Sequence, residues 1–286
     1  MVGVGLGAKA GILIKNAAAL ERAERIDALV VDKTGTLTVG APSLVGVHPT
    51  AGFTDSELLL LAMSLEQGAV HPLARAIVKR AEAFQMRALP IENVRVHAGR
   101  GVSGDNGTQT IRLGSPAFLA ESGVAIDAAE LGRVQAAGQT VVGVAEGPRL
   151  VGWITLVDAL RPGAAAAVAA LEGVGVKVTM LTGDHPAPAA AVARSAGIAD
   201  WRAAQSPQDK RAAVMAMQKE GRTVGMVGDG VNDAPALAQA DVSFAMGAGA
   251  GSALSAADVT LLRNDLAAVA AAVDLSRATL SKIRQN

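Results

Sequence analysis

Four apolar residues in unbroken succession, Ala28-Leu29-Val30-Val31, end on an acidic one, Asp32. A strand with one wet face alternates apolar and polar side chains, so a run without alternation reads as a buried parallel strand. An acidic side chain at the carboxyl end of such a strand stands in the crevice where open α/β sheets bind ligands. Asp32 is followed by Lys33-Thr34-Gly35-Thr36-Leu37-Thr38, which offers hydroxyls and a glycine-permitted tight turn with exposed backbone N–H groups. A carboxylate nucleophile beside a phosphate cradle is the arrangement an enzyme phosphorylated on aspartate needs. The bland alternative is a strand-ending turn with an Asx motif.

The rest of the chain says which sheet this strand joins. Ala17–Arg25 has helical spacing and leads into it. From Asp158 onward the pattern alternates: helix Ala164–Glu172, strand Lys177–Leu181, helices Ala187–Ser195 and Lys210–Gln218, strand Thr223–Val227, helix Leu237–Ala240, strand Asp241–Met246. Alternation of this kind predicts an α/β fold with a doubly wound parallel sheet. Between lies a different rhythm, opened by a hinge at Gly40-Ala41-Pro42. Strands are expected at Leu44–Val47, Val94–Val96, Thr110–Leu113, Val141–Ala145 and Leu150–Leu156, with a turn at Asp105-Asn106-Gly107. Helices are expected at Ser56–Met63, capped by Thr54, and at Pro72–Phe84. The expected division is therefore a discontinuous domain, 1–39 with 151–286, and an inserted α+β domain, 40–150.

Composition narrows the function classes. Lys+Arg 26 balances Asp+Glu 26 and aromatic residues are only 2%, so neither a basic stripe nor a base-stacking platform points to nucleic acid. With Cys 0 there is no disulfide framework or thiol metal site. Apolar content is 50%, yet the longest candidate spans, Gly163–Leu171 and Leu266–Val273, fall well short of the ~20 apolar residues a bilayer requires. A soluble chain is expected. Met1–Gly11 lacks the pattern of a signal peptide and reads as the end of a segment cut from something longer.

Three further strand ends fit the Asp32 site. Val178–Leu181 leads to Thr182-Gly183-Asp184, a hydroxyl and a glycine turn that suit a phosphoryl oxygen. Val224–Val227 leads to Gly228-Asp229-Gly230-Val231-Asn232-Asp233, hard oxygen ligands at a spacing that suits Mg²⁺. Ser206-Pro207-Gln208-Asp209-Lys210 starts a helix with a lysine available as phosphate counter-charge. Each alone reads more readily as a turn or a solvated surface charge; their order after successive strands reverses that.

Together they resemble the haloacid dehalogenase superfamily, and within it the P-type ATPases, across essentially the whole chain. The resemblance implies that Asp32 is the nucleophile and that Thr182 and Lys210 bind the transferred phosphoryl group, with Gly183 in the same turn. It implies that Asp229, Asp32 and the Thr34 carbonyl hold Mg²⁺, supported by Asn232 and Asp233, and that Asp158 and Arg161 match the Asp-x-x-Arg hinge. Phosphatases of the superfamily carry a second Asp two residues after the nucleophile; here that position is Thr34. A hydroxyl is a poor base for water, so the aspartyl phosphate should persist, as a pump requires.

The inserted block resembles the nucleotide-binding domain of the heavy-metal-transporting members. Gly99-Arg100-Gly101-Val102-Ser103-Gly104 spells G-x-G-x-x-G, but a turn and strand follow it, so the dinucleotide reading fails. His71 taken alone reads as a helix-start hydrogen bonder or as a ligand residue. In the resemblance, Glu66, His71, Gly99, Gly101 and Gly114 surround adenine and ribose. After Met246 the family's Gly-Thr-Gly-Thr-Asp gives way to Gly247-Ala248-Gly249-Ala250-Gly251-Ser252, and His185 stands where Asn is more usual. The implied reaction is ATP-dependent phosphorylation of Asp32 in the cytoplasmic part of a membrane pump. Copper-exporting relatives match the chain's lead-in and end most closely, and zinc/cadmium relatives share its cytoplasmic motifs. Its implied partners are the pump's own membrane helices, its actuator domain and the transported ion, with no nucleic acid. The alternatives are a stand-alone phosphatase and a non-catalytic nucleotide-binding module.

Overall fold

The computed structural model describes residues 11–228, 233–247, 257–262 and 265–285. The chain divides into two compact units, one made of Met1–Gly40 with Leu160–Asn286 and the other of Ala41–Ala159.

The first unit is built on seven strands: β1 Ile12–Ile14, β2 Ala28–Asp32, β9 Lys177–Leu181, β10 Asp200–Arg202, β11 Val224–Gly228, β12 Val242–Met246 and β13 Val259–Leu261. Their order is β1-β13-β12-β11-β2-β9-β10, and all pair in parallel except β1 with β13. Every residue of β2 is buried, because the sheet is covered on both faces. Leu29 and Val31 join one core with helices α1 (Ala17–Glu24), α6 (Ala164–Gly173), α7 (Pro186–Ala196) and α10 (Ala267–Gln285). Ala28 and Val30 join the opposite core with α8 (Pro207–Lys219) and α9 (Ala234–Gln239). Double burial is the reason the sequence there does not alternate. Each β–α–β step carries the chain back over a face, so the carboxyl ends of β2, β9 and β11 lie at one edge.

The second unit is an antiparallel sheet with helices on both faces. Its strands are β3 Ser43–Pro49, β4 Glu92–His97, β5 Gly101–Asp105, β6 Thr110–Gly114, β7 Thr140–Glu146 and β8 Arg149–Val157, in the order β3-β8-β7-β6-β5-β4. Helices α2 (Asp55–Glu66) and α3 (Pro72–Ala83) cover one face over Val102, Ile111, Leu113 and Ile154. Short α4 (Pro116–Glu121) and α5 (Ala128–Gln135) lie on the other, where Phe118 and Leu119 pack with Trp153. Thr54 caps α2 in a reciprocal box with Glu57.

Two expectations are corrected. Residues 151–157 complete β8, paired with β3 and β7, so the second unit runs on to Ala159 instead of ending at 150. The Gly99–Gly104 segment, which a turn and strand were expected to follow, itself contains a strand, β5, and the short elements β1, β10, β13, α4 and α5 have no counterpart in the sequence reading. Three-residue strands are too brief to show a period. Among the described residues, no helix is long and apolar enough to cross a membrane.

Candidate active site

Asp32 ends β2 and is 6% exposed. The register places it beside Leu181 of β9, and Val31 beside Val227 of β11. Thr182 and Gly228 therefore emerge on either side of it. Lys210 reaches the same point from α8, whose start is fixed by Ser206 and Asp209, each accepting the other's backbone N–H. Its Nζ donates to Asp32 Oδ1 at 2.5 Å and to Asp233 Oδ1 at 2.7 Å. Lys210 and Asp233 are 5% and 1% exposed, so this is a buried cluster of one cation and two carboxylates. Burial works against the charged amine, but Asp32 and then Asp233 outweigh it and hold Lys210 above the ordinary lysine range. The lysine stays ionised at any physiological pH.

The loop after Asp32 is held at several points. Gly35 has φ +74°, a left-handed conformation that glycine adopts freely. The Thr38 N–H and hydroxyl both donate to the Lys33 carbonyl at 3.0 Å. Arg161 clamps the loop from outside: Nη2 donates to Gly35 O at 2.7 Å and Val39 O at 3.4 Å, and Nε to Thr36 O at 3.1 Å. Its own N–H donates to Leu37 O at 2.8 Å. Lys33, 4% exposed, forms an ion pair with Asp184 in the turn after β9. Thr182, 1% exposed, accepts the Asp184 N–H on its hydroxyl at 3.1 Å, and Gly183 beside it is exposed.

Asp32, Thr182 and Lys210 thus gather at one sheet edge, with Thr34 and Gly183 in the adjoining turns. Asp229 and Asn232 lie outside the described residues, as does the 248–252 segment of the departure after Met246. Arg161, matched to the Asp-x-x-Arg hinge, places its guanidinium on the backbone of the nucleophile's loop. Asp233, expected to support the metal, accepts from Lys210. The Lys33–Asp184 pair was not anticipated, since nothing local connects residues so far apart in the chain. Asp158 falls within the second unit.

In the second unit, Glu66 closes α2 and His71 caps α3. His71 Nδ1 accepts the Ala74 N–H at 3.2 Å, which leaves the proton of the neutral ring on Nε2, 3.2 Å from Glu66 Oε2. Burial pushes the Glu66 carboxyl up from the usual glutamate range, and His71 draws it part of the way back. Gly99 has φ +70°, as its turn requires. Gly101 and Gly114 face each other across β5 and β6, and a Cβ on either would come within 2.8 Å of Phe118 Cδ1. Packing alone therefore demands glycine at both positions, whatever else they do.

Comparison with known proteins follows the same lines. Residues 26–241 match the haloacid dehalogenase-like hydrolase family. The whole chain is 42% identical to a copper-exporting P-type ATPase of Vibrio cholerae serotype O1, and 99% of it is 40% identical to a zinc/cadmium/lead-transporting P-type ATPase of Escherichia coli K12. It spans 31% and 38% of the length of these relatives. Its fold superposes on a zinc-transporting PIB-type ATPase in an E2.Pi state with TM-score 0.76 and 40% identity, covering 99% of this chain and 46% of that one. The catalytic domain of the CPx-ATPase CopB-B gives TM-score 0.75 at 28% identity, covering 94% of this chain and 98% of that one.

Proposed function

Since the chain belongs to the haloacid dehalogenase-like hydrolases, we propose that it is the ATP-hydrolysing cytoplasmic portion of a heavy-metal-exporting P-type ATPase with Cu⁺ as cargo. The observation that carries this reading is the buried Asp32–Lys210–Asp233 cluster at the carboxyl edge of a parallel sheet. An Asp32 oxygen attacks the γ-phosphorus of ATP in line; the bond to the β,γ-bridging oxygen breaks, ADP leaves, and an acyl phosphate remains on Asp32. Lys210 balances charge on the transferred oxygens, and the Thr182 hydroxyl holds one of them. The Lys33–Asp184 pair and the Arg161 clamp keep the two turns in register while this happens.

The donor set fits Mg²⁺. Among the described residues the Asp32 carboxylate and Thr34 carbonyl supply hard oxygens, and the resemblance adds the carboxylate of Asp229. When bound, the ion neutralises negative charge on the phosphoryl oxygens. ATP is taken up by the second unit, where Glu66 and His71 recognise adenine edges while Gly99, Gly101 and Gly114 let the backbone approach.

Labelling with γ-³²P ATP tests the reading. An acid-stable label, released by hydroxylamine and absent in Asp32→Asn, is expected. Thr34→Asp should shorten the label's lifetime by about 10²-fold, the usual worth of a positioned general base. Rapid turnover without label in the unaltered chain would mean a phosphatase, and no turnover a binding module. The zinc relatives favour a second reading of cargo, Zn²⁺, Cd²⁺ or Co²⁺. The full-length pump decides it: Cu⁺ should stimulate ATP hydrolysis and Zn²⁺ should not. Within that pump this portion would sit at the cytoplasmic face of the membrane, joined to its membrane helices and actuator domain.

A further inference from the structure

Helices α4 and α5 cover only part of their face of the second sheet, and β4, β5 and the start of β6 stay open beside α4. A groove of about 390 Å³ lies there. Pairing puts its floor in rows. Arg95 faces Ser103 and Ser103 faces Arg112, so a hydroxyl sits between two guanidinium-bearing positions. With strands about 4.8 Å apart, the two arginine Cα atoms are roughly 10 Å apart, close enough for both side chains to reach one group. In the next row His97 pairs with Gly101 and Gly101 with Gly114, and Phe118 stands over the glycines. The His97 and Phe118 ring centroids are 4.8 Å apart, and His97 Nε2 lies 2.9 Å from Ser103 Oγ. The groove thus joins a cationic floor to an aromatic wall.

The one carboxylate in it, Asp105, already accepts from Asn93 Nδ2 at 3.0 Å and Thr110 Oγ1 at 2.8 Å. Those hydrogen bonds, with the charges of Arg95 and Arg112, hold it ionised below its usual range. Two arginines against one committed carboxylate leave the groove one positive charge in excess. We propose that it binds a phosphate-bearing small molecule, its phosphoryl group between Arg95, Ser103 and Arg112 and its uncharged part against Phe118 and His97. Two guanidinium forks and a hydroxyl offer more donors than a carboxylate can use and match the three terminal oxygens of a phosphoryl group. At 390 Å³ the volume suits a small metabolite.

The cationic floor of this groove is separate from both other sites, and its second row shares only the backbone of Gly101 and Gly114 with the nucleotide site. Side chains alternate along a strand, so Ser103 and Arg112 point away from the face that Val102, Ile111 and Leu113 present to α2 and α3. Glu66 and His71 belong to those helices, and Asp32 to the first unit. The inference does not depend on the pump reading.

Inorganic tripolyphosphate, titrated without Mg²⁺ into the isotope-labelled chain, provides the probe. Saturable shifts are expected at the Ser103 and Arg112 amides and the Phe118 ring. The double variant Arg95→Gln/Arg112→Gln should weaken binding by at least about tenfold with unchanged unfolding temperature, and Asp105→Asn should tighten it several-fold. Unchanged affinity in the double variant, or shifts confined to residues around Asp32 and Lys210, would overturn the proposal. So would binding seen only on phosphatidic acid vesicles or only with an acidic peptide, since either makes the partner something other than a free small molecule.

Discussion

The two candidate sites treat charge in opposite ways. At Asp32 one amine and two carboxyl groups are packed together out of water, with Lys210 donating to both carboxyls. At Glu66 a single buried carboxyl meets one half-exposed histidine. Phosphoryl transfer moves several negative charges at once, and fixed counter-charges in a dry site stabilise that most. Recognition of a neutral base needs only directed hydrogen bonds. The cost follows the chemistry, because removing one member of a buried ionic cluster strands the others.

Lys210→Met should break the contrast most severely. It leaves Asp32 and Asp233 buried without their shared cation, for which a destabilisation of about 3–5 kcal/mol is expected. Trp201 lies in β10 of the first unit and Trp153 in the second, so Trp201 fluorescence should show the loss while Trp153 reports an unchanged transition. A simultaneous shift of both signals would mean that the units do not respond separately. Arg161→Ala comes next. It strips donors from the carbonyls of Gly35, Thr36 and Val39, worth about 2 kcal/mol for partly exposed, charge-assisted bonds. Loop disorder should lower kcat for phosphoenzyme formation more than it raises KM for ATP, and an equal effect on both would remove Arg161 from a positioning role.

Glu66→Gln should give the smallest effect and of opposite sign. The folded carboxyl titrates above its unfolded value, so its stabilising contribution is complete below the ordinary glutamate pKa of 4.5 and fades as pH rises through the raised value. At neutral pH the ionised group is a burden, which glutamine lacks while still accepting the His71 Nε2–H. Urea unfolding followed at Trp153 should therefore show a gain of about 1 kcal/mol at pH 7 and a flatter profile between pH 7 and 4.5. A loss at pH 7 would mean that the His71 contact requires charge.

What was legible in the sequence depended on how far apart the cooperating residues are. Asp32 announces itself because its strand and turn are contiguous, and α2 and α8 because their caps lie within three residues of each other. Gly101 and Gly114 drew attention through the resemblance, whereas the structure supplies a packing reason in Phe118 that no spacing reveals. The boundary at 150 cut through a strand, Leu150–Leu156, that the sequence already showed, because the pairing that ties all of β8 to β3 and β7 is visible only in the fold.

Local order, then, was written in the chain: a doubly buried strand, its acidic end and the helices that must cover it follow from side-chain period alone. Which charges meet was decided only in three dimensions. Lys33 finds Asp184 and Lys210 bridges Asp32 to Asp233 because parallel pairing brings distant strand ends to one edge, and Arg161 grips Gly35 beside the antiparallel Thr38–Leu160 bridge. Electrostatic energy depends on separation in space and on exclusion of water, and neither quantity exists in a linear sequence.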